Sequence, residues 1–431
     1  MKKFIAAALV IVLAGSAQAQ PTETLTLQRA LELATQQQPN LARTRATIEA
    51  AQARVFLAKV AYIPTVTGSA NATTGSSRGQ PCAGDITRAC GGFFELQETT
   101  SLALSANWRI YDFGQTRASV RAAELQARAT ETTLATTSLD IRRDVEVAYL
   151  EAVARGRLVK VAEATVASED LHLDQARRFV AAQAKDPIEV AQAQARAANA
   201  KAALATAQST LAIAMANLRS AIGLIDTRTI AVESSWPTPA AIPPNLPELV
   251  EISRKHRPEL AQLDLQIQAS EASVVAADAA NRPVLSASAS TQYNPGTGDW
   301  TPEPTWNAGL TLSWQFFDGG RSKYNARIAR ADAAATRADK NALLVSLTAQ
   351  LDSARSQIIA NSAAVAASEE AVTAARAQLQ LAEARYAQGL GSQIELTDAQ
   401  QAVTLAEGNL VTSQWQLATA WAQLRRALGE N

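Results

Sequence analysis

Two halves of this chain are copies of one unit, and this repeat limits the possible folds more than any other feature. Three blocks of the first half recur in the same order in the second: residues 39–70 in 258–289, 108–114 in 314–320, and 217–223 in 423–429. The first pair of blocks aligns without a gap and keeps a proline near each end, for example Pro39 and Pro258. We therefore expect two similar structural units in tandem.

The ends of the repeats divide the chain. We predict a first structural repeat over residues 20–223, a proline-rich connector over 224–245 and a second repeat over 246–431. Residues 1–19 have the features of a signal peptide, with two lysines, a short apolar run and small residues before a cleavage site. The apolar run is too short to span a bilayer as a helix. We therefore expect the chain to be exported and this segment to be removed.

Each repeat begins with a helical pattern. Residues 26–61 and 246–280 are rich in alanine and leucine, and Pro39 and Pro258 predict a break between a short helix and a longer one. After the predicted strands, helix breakers become rare over long stretches. Residues 321–388 contain neither glycine nor proline. These stretches predict helices of unusual length.

The long helices carry apolar residues at every seventh position. In the first helix of each pair these are Val145, Ala152, Val159, Val166, Leu173 and Val180, matched by Leu351, Ile358, Val365, Val372, Leu379 and Tyr386. In the returning helices they are Val190, Ala197, Leu204, Leu211 and Leu218, matched by Leu396, Val403, Leu410, Leu417 and Leu424. A seven-residue apolar period predicts coiled-coil contact between helices. Each repeat therefore ends in a helical hairpin, with turns near Pro187 and Leu390.

Four segments alternate between apolar and polar residues and therefore predict β-strands: residues 65–72, 101–110, 285–293 and 306–316. Their lengths suit tilted membrane strands, and aromatic residues lie near their ends, as in the girdles of membrane barrels. We assign the large apolar side chains of these segments to lipid: Leu102, Leu104, Trp108, Trp306, Leu310, Leu312, Trp314 and Phe316. A soluble sandwich with one face on a core is the alternative interpretation.

Four strands are too few to close a membrane barrel. Such barrels use about eight strands or more, because an open edge in lipid leaves backbone groups unpaired. Identical chains would therefore have to share one barrel around a symmetry axis. Two copies would supply about eight strands and three copies about twelve, and the residues alone leave this number open.

Charge and cysteine content exclude several other functions. The 40 lysines and arginines balance 40 aspartates and glutamates, which argues against a nucleic-acid-binding surface. There is no glycine-rich phosphate loop, and the two histidines lie far apart, so we expect neither an enzyme nor a cofactor site. Cys82 and Cys90, in a loop rich in glycine and threonine, predict a disulfide in an oxidising compartment. A metal site is the alternative, although no histidine lies nearby.

The chain resembles the TolC family of outer-membrane factors over essentially all of its mature length. The resemblance rests on the tandem repeat, on the matching segments 111–114 and 317–320, and on residues 385–395 at the second hairpin tip. It implies a mainly α fold with a membrane β part: a homotrimer with a 12-stranded shared β-barrel, four strands per chain, on a coiled-coil tunnel. It also implies a passive channel of a tripartite efflux or type I secretion system. The implied partners are outer-membrane lipid, a periplasmic adaptor (membrane fusion protein) and an inner-membrane pump.

The resemblance also assigns roles at the hairpin tips. Glu395 and Asp398 match acidic residues that narrow the periplasmic entrance and select ions, while Tyr386 and Glu189 match a contact that holds it closed. Docking of the adaptor is assigned to both tips: Ala182, Gln183, Ala184, Gly389, Leu390 and Gly391. The first tip departs from the family by lacking its Gly-Leu pair and by one additional residue. Gly391 stands where the family can place a basic residue for a second closing contact.

A purely structural interpretation is the alternative for the acidic residues and for Tyr386. The two acidic residues fit an ordinary solvated helix face, and Tyr386 also belongs to an apolar heptad row. For the whole chain the main alternative is a secreted structural coiled-coil protein with a small β domain. A periplasmic adaptor is a second alternative, but two alternating strand pairs with aromatic ends argue against it.

Overall fold

A computed structural model describes residues 23–77, 81–82, 85–89, 95–225, 230–233, 236, 243–294 and 304–430. The predicted signal peptide, residues 1–19, lies outside this part of the chain. Among the described residues, no helix combines the length and the apolar character needed to cross a membrane. The chain divides into two compact units, one drawn from Met1–Pro39, Ser138–Leu249 and Leu351–Asn431, the other from Asn40–Thr137 and Val250–Gln350.

The elements follow the order that the repeat predicts, with short helices before strands and long helices after them. They are β1 (Glu23–Leu25), α1 (Leu27–Gln37), α2 (Pro39–Lys59), β2 (Thr65–Ser77), β3 (Pro81–Cys82), β4 (Asp85–Ala89), β5 (Glu95–Tyr111), α3 (Gln115–Ala181), α4 (Ile188–Ile222), β6 (Ile230–Val232), α5 (Leu246–His256), α6 (Pro258–Ala279), β7 (Val284–Tyr293), β8 (Pro304–Ser313), α7 (Arg321–Ala387) and α8 (Gln393–Leu428). Pro39 and Pro258 begin α2 and α6, as their fixed φ favours. The repeat and connector boundaries at residues 223 and 245 stay predictions.

The unit that contains residues 40–137 and 250–350 holds a four-stranded antiparallel sheet in the order β2-β5-β7-β8. Its register places Val66, Ala106, Ala289 and Ala308 in one row across all four strands. Since residues directly opposite each other point to the same face, the apolar residues of the four strands share one face. Most of the large apolar side chains on it, including Leu104 and Leu310, are exposed.

The strand ends differ from those that alternation predicts. The strands β2 and β5 continue well beyond the predicted segments 65–72 and 101–110. The predicted segment 306–316 was too long, because β8 begins at Pro304 and ends at Ser313, opposite Val284. The residue before Val284 is a proline, which has no N–H to extend the ladder.

Trp314 and Phe316 therefore follow β8 and lie outside the strand, and their assignment to lipid or to the aromatic girdle stays a prediction. The Trp314 indole N–H donates to the Asn281 carbonyl oxygen at 3.2 Å, and its ring meets Phe316 edge to face, with centroids 6.0 Å apart. The alternating pattern runs past the end of the strand because it records side-chain polarity and not backbone pairing.

An aspartate three residues before each of the two longest helices binds the first turn, and this explains the matching segments 111–114 and 317–320. The carboxylate of Asp112 accepts the backbone N–H of Thr116 at 2.9 Å, and that of Asp318 accepts the N–H of Ser322 at 2.7 Å. The hydroxyl groups of both partners also donate to these carboxylates. The hydrogen bonds from Ser322 hold the pKa of Asp318 below its usual value. These contacts satisfy donors that a helix N-terminus would otherwise leave unpaired.

The predicted heptad rows form the cores of the two hairpins in the other unit. Leu173 and Ala176 of α3 pack with Ala193 and Ala197 of α4. In the second hairpin, the core is formed by Val372, Ala375, Val403 and Ala406 of α7 and α8. Every residue in the four predicted rows is buried or half-buried. The coiled-coil prediction is confirmed.

Some structure was not predicted from the sequence. The strands β1 and β6 pair in parallel over three residues each, and β6 lies inside the predicted connector. The Tyr149 hydroxyl donates to the Leu25 carbonyl oxygen in β1 at 3.2 Å. The predicted Cys82–Cys90 disulfide falls outside the described residues, which include neither Cys90 nor the Cys82 side chain. The disulfide stays a prediction.

Candidate functional site

The two hairpin tips lie in one compact unit, and the backbone turns in the same way at both. Residues 182–187 join α3 to α4, and residues 388–392 join α7 to α8, so the first tip is one residue longer, as predicted. Gln183 has a φ of 56° and Gly389 a φ of 74°. The next N–H groups, of Ala184 and Leu390, each donate to a helix carbonyl oxygen five residues back at 2.9 Å. The first tip therefore keeps the left-handed turn without glycine, at a cost of about 1–2 kcal/mol.

Residues of both hairpins meet around Tyr386. This side chain is 4% exposed and packs with Ala382, Leu396 and Ala399 of its own hairpin. Its hydroxyl lies 3.4 Å from a carboxylate oxygen of Glu189 at the start of α4. The structure thus brings together the two residues that the resemblance paired.

Lys185 is a third member of this cluster, and sequence reasoning missed it. Its Nζ lies 3.3 Å from the Glu189 carboxylate and 5.4 Å from the centroid of the Tyr386 ring. The Lys185 and Glu189 side chains are only 27% and 17% exposed. We call Lys185, Glu189 and Tyr386 the tip cluster. The sequence signal was weak, because Lys185 lies in the turn before α4 and the spacing rule for residues on one helix does not cover it.

Burial and charge keep the Tyr386 hydroxyl protonated. Burial raises its pKa above the usual value, and the negative charge of Glu189 and their hydrogen bond raise it further. The protonated form is therefore favoured and can donate to Glu189. The Phe179 ring meets the Tyr386 ring edge to face, with centroids 5.8 Å apart, and fixes its orientation.

The two acidic residues after the second tip differ in their surroundings. Glu395 lies 3.1 Å from the guanidinium of Arg385, whereas Asp398 is exposed and has no ion-pair partner in the described part of the chain. Both lie on α8, three residues apart and so on one helical face, as predicted. The Ser392 hydroxyl caps this helix by accepting the Glu395 N–H at 3.1 Å.

The remaining tip residues form the outer surface of both turns. Ala182, Gln183, Ala184, Gly389 and Leu390 are exposed, and Gly391 is half-buried. A Cβ atom at Gly391 would lie 3.0 Å from the Tyr386 nitrogen. A basic side chain at position 391 would therefore require the backbone to shift, and Lys185 instead brings a positive charge to the tip cluster from the first hairpin.

Comparison with known proteins matches almost the whole chain to one family. The family model for outer membrane efflux proteins matches residues 30–224 and 249–430. The chain belongs to the outer membrane efflux protein family. It is 23% identical over 416 residues to nodulation protein T of Rhizobium leguminosarum bv. viciae, covering 94% of this chain and 79% of that relative.

Solved outer-membrane channels share the fold of this efflux-family protein. VceC of Vibrio cholerae is 22% identical, with a TM-score of 0.75, and the match covers 94% of this chain and 96% of that one. The CmeC channel of Campylobacter jejuni is 16% identical, with a TM-score of 0.80, covering 94% and 85%. The predicted TolC-like fold is confirmed.

Membership of this family establishes the general function. The chain is an outer-membrane efflux channel component that extends into the periplasm, and channels of this family work with an adaptor and an inner-membrane pump. The predicted location and transport function are confirmed, against the alternative of a structural coiled-coil protein. The roles of the individual tip residues stay predictions.

Proposed function

We propose that three copies of this chain form one channel, in which their sheets close a shared barrel of about twelve strands in the outer membrane. The main support is the exposed apolar face of the β2-β5-β7-β8 sheet. Among the described strands, β2 and β8 each pair on one side only. An unpaired edge in lipid costs several kcal/mol for each backbone group, so β8 of one copy pairs with β2 of the next. About eight strands would leave an interior filled by side chains, which favours three copies over two.

The opposite face of the same sheet suits a water-filled lumen. Thr67, Ser105, Ser290 and Asn307 form one polar row across the four strands. The Ser290 hydroxyl donates to the Asn307 side-chain oxygen at 3.1 Å. Such a lining offers hydrogen bonds to water without a deep apolar site that would retain a cargo. The channel then acts as a passive conduit for small molecules or secreted polypeptides.

The hairpin tips form the periplasmic entrance in this proposal, and the tip cluster holds it closed. Glu189 and Lys185 belong to the first hairpin and Tyr386 to the second, so their contacts join the hairpins at the tips. A cation–π contact contributes about 0.5–2 kcal/mol, depending on its desolvation. Contacts of this size can close an entrance and still be reversed by a binding partner. The acidic pair Glu395 and Asp398 attracts cations to the same entrance.

The exposed tips are the proposed docking surface for the periplasmic adaptor. Leu390 is 71% exposed at the second tip, and Ile394 and Ile188 are also exposed beside the turns. Exposed apolar side chains that lie close together mark surfaces that bind other proteins. Binding there would act directly on the contacts of the tip cluster.

We expect Leu310→Asp to reduce assembly in the outer membrane far more than Thr311→Asp. Both residues lie in β8, but Leu310 is on the apolar face and Thr311 on the polar one. A charge on the lipid face costs up to about 2–4 kcal/mol at mid-bilayer, whereas a lumen position tolerates it. The measurement is the yield of detergent-extracted oligomer from outer-membrane fractions. Equal yields for the two variants would exclude the proposed facing of the sheet.

Loosening the tip cluster should enlarge the resting channel. We expect Lys185→Met, and separately Tyr386→Phe combined with Glu189→Gln, to raise single-channel conductance in planar bilayers. Lys201→Met is the matched control, because Lys201 pairs with Asp170 at 2.9 Å on the same hairpin but lies outside the cluster. If Lys185→Met and the control give the same conductance, the cluster is packing only.

The acidic entrance is tested by ion selectivity. We expect Asp398→Asn to lower the preference for K⁺ over Cl⁻, because it removes an exposed negative charge from each copy around a narrow opening. The measurement is the reversal potential of the reconstituted channel under a KCl gradient. An unchanged potential would mean that Asp398 lies on an ordinary solvated helix face.

Adaptor docking is tested with a photoreactive amino acid at Leu390. We expect it to cross-link to a periplasmic adaptor in cells, and the same probe at Leu405 to give little product. Leu405 is a suitable control because it is similarly exposed, at 66%, but lies about three turns into α8. A stronger product at Leu405 than at Leu390 would place the docking surface away from the tip.

A further inference from the structure

The two acidic residues assigned to the entrance do not contribute alike, and we infer that Arg385 neutralises Glu395, so that Asp398 supplies the selecting charge of this pair. The inference rests on the proposed role of the tips as the periplasmic entrance. It makes Arg385, a residue with no role in the assignments above, a determinant of ion selectivity.

The turn at the second tip holds Arg385 and Glu395 opposite each other. Arg385 lies in the last turn of α7 and Glu395 in the first turn of α8, with 3.1 Å between Nη1 and Oε1. The carbonyl oxygen of Arg385 accepts the N–H groups of Leu390 and Gly391 at 2.9 and 3.0 Å. At the other end of the turn, the Ser392 hydroxyl accepts the N–H of Glu395. These hydrogen bonds fix the backbone at both residues, and the two side chains, 50% and 38% exposed, form an ion pair at the surface.

Asp398 lies one helical turn farther along α8, where no cation among the described residues compensates its charge. It is exposed, and no lysine or arginine in the described part of the chain pairs with it. The nearby Glu189 is paired with Lys185, so two of these three carboxylates each have a cation of the same chain beside them. A close ion pair has only a weak field at a distance, whereas a single carboxylate acts over a Debye length of about 8 Å at physiological ionic strength.

This arrangement predicts that loss of Arg385 and loss of Glu395 change cation selectivity in opposite directions. If Arg385 masks Glu395, then Arg385→Gln exposes a second carboxylate and increases cation selectivity. Glu395→Gln leaves the arginine uncompensated and decreases it. Arg385→Gln combined with Glu395→Gln removes both charges and should behave as the natural protein. If Glu395 acted as a free carboxylate, Arg385→Gln would change selectivity no more than the loss of another arginine at the tips.

The experiment uses the full-length channel in planar bilayers and measures block by hexamminecobalt(III) and the reversal potential in a KCl gradient. We expect Arg385→Gln to lower the half-blocking concentration by about tenfold, the low end of the local enrichment that a focused field gives. Arg385→Lys, which keeps the charge, should retain the natural value, and this separates charge from folding. Arg178→Gln is the matched control, because Arg178 lies in the last turn of α3 and pairs with Asp174 at 3.0 Å.

The outcomes separate this inference from the proposed function. If Arg385→Gln leaves the block unchanged while Asp398→Asn weakens it, the masking is wrong and the acidic entrance stands. If neither variant changes block or selectivity, the acidic entrance itself is wrong. If Arg178→Gln strengthens the block as much as Arg385→Gln does, the effect comes from overall charge and the masking is again wrong.

Discussion

Close packing of alanine-rich helices within each hairpin is the interaction on which the helical unit depends. The buried positions of α3 and α4 include Ala176, Ala193 and Ala197, whose small side chains let the two backbones approach. The pair α7 and α8 repeats this arrangement around Val372 and Val403. Burying a valine or leucine contributes about 1.5–3 kcal/mol, so an apolar row of this length makes each hairpin a stable body.

Contacts between the hairpins are of a different kind. Where α3 meets α8, polar side chains face each other: Thr165 and Thr404 lie 3.1 Å apart, and the Ser168 hydroxyl donates to Gln400 at 3.0 Å. Farther along the same two helices, Arg425 of α8 pairs with Glu146 of α3. Hydrogen bonds of this sort contribute about 0.5–1.5 kcal/mol each, and polar partners can be exchanged for water. Each of these polar contacts between the hairpins is weaker than the burial of one apolar side chain within a hairpin.

Periodicity predicted most of the fold because each signal repeated many times. The heptad rows, the break at Pro258 and the shared apolar face of the strands all follow from side-chain polarity at fixed spacing. Features that depend on one contact escaped prediction. The β1–β6 pair is only three residues long on each side. The end of β8 is set by the partner strand, and alternation alone placed Trp314 on the wrong side of that boundary.

The same limit applies at the tips. The family pattern located Tyr386, Glu189 and the two acidic residues, and the structure brings the first two together. It did not reveal Lys185 or the ion pair of Arg385, because both depend on how the turn directs a long side chain. The left-handed turn at Gln183 also escaped prediction, because the first tip lacks the glycine that usually signals such a turn.

The difference between contacts within a hairpin and contacts between hairpins bears on how the proposed periplasmic entrance can open. A hairpin whose core rests on buried apolar rows moves as one body, since separating its helices would expose many side chains at once. Contacts across the hairpins include polar ones such as Tyr386 with Glu189, each replaceable at a cost of about 1 kcal/mol, beside the ring contact of Phe179 with Tyr386. In the proposed entrance, an adaptor bound at the tips would have to replace these contacts. We therefore expect opening by movement between intact hairpins to cost less than opening by separating the helices within one.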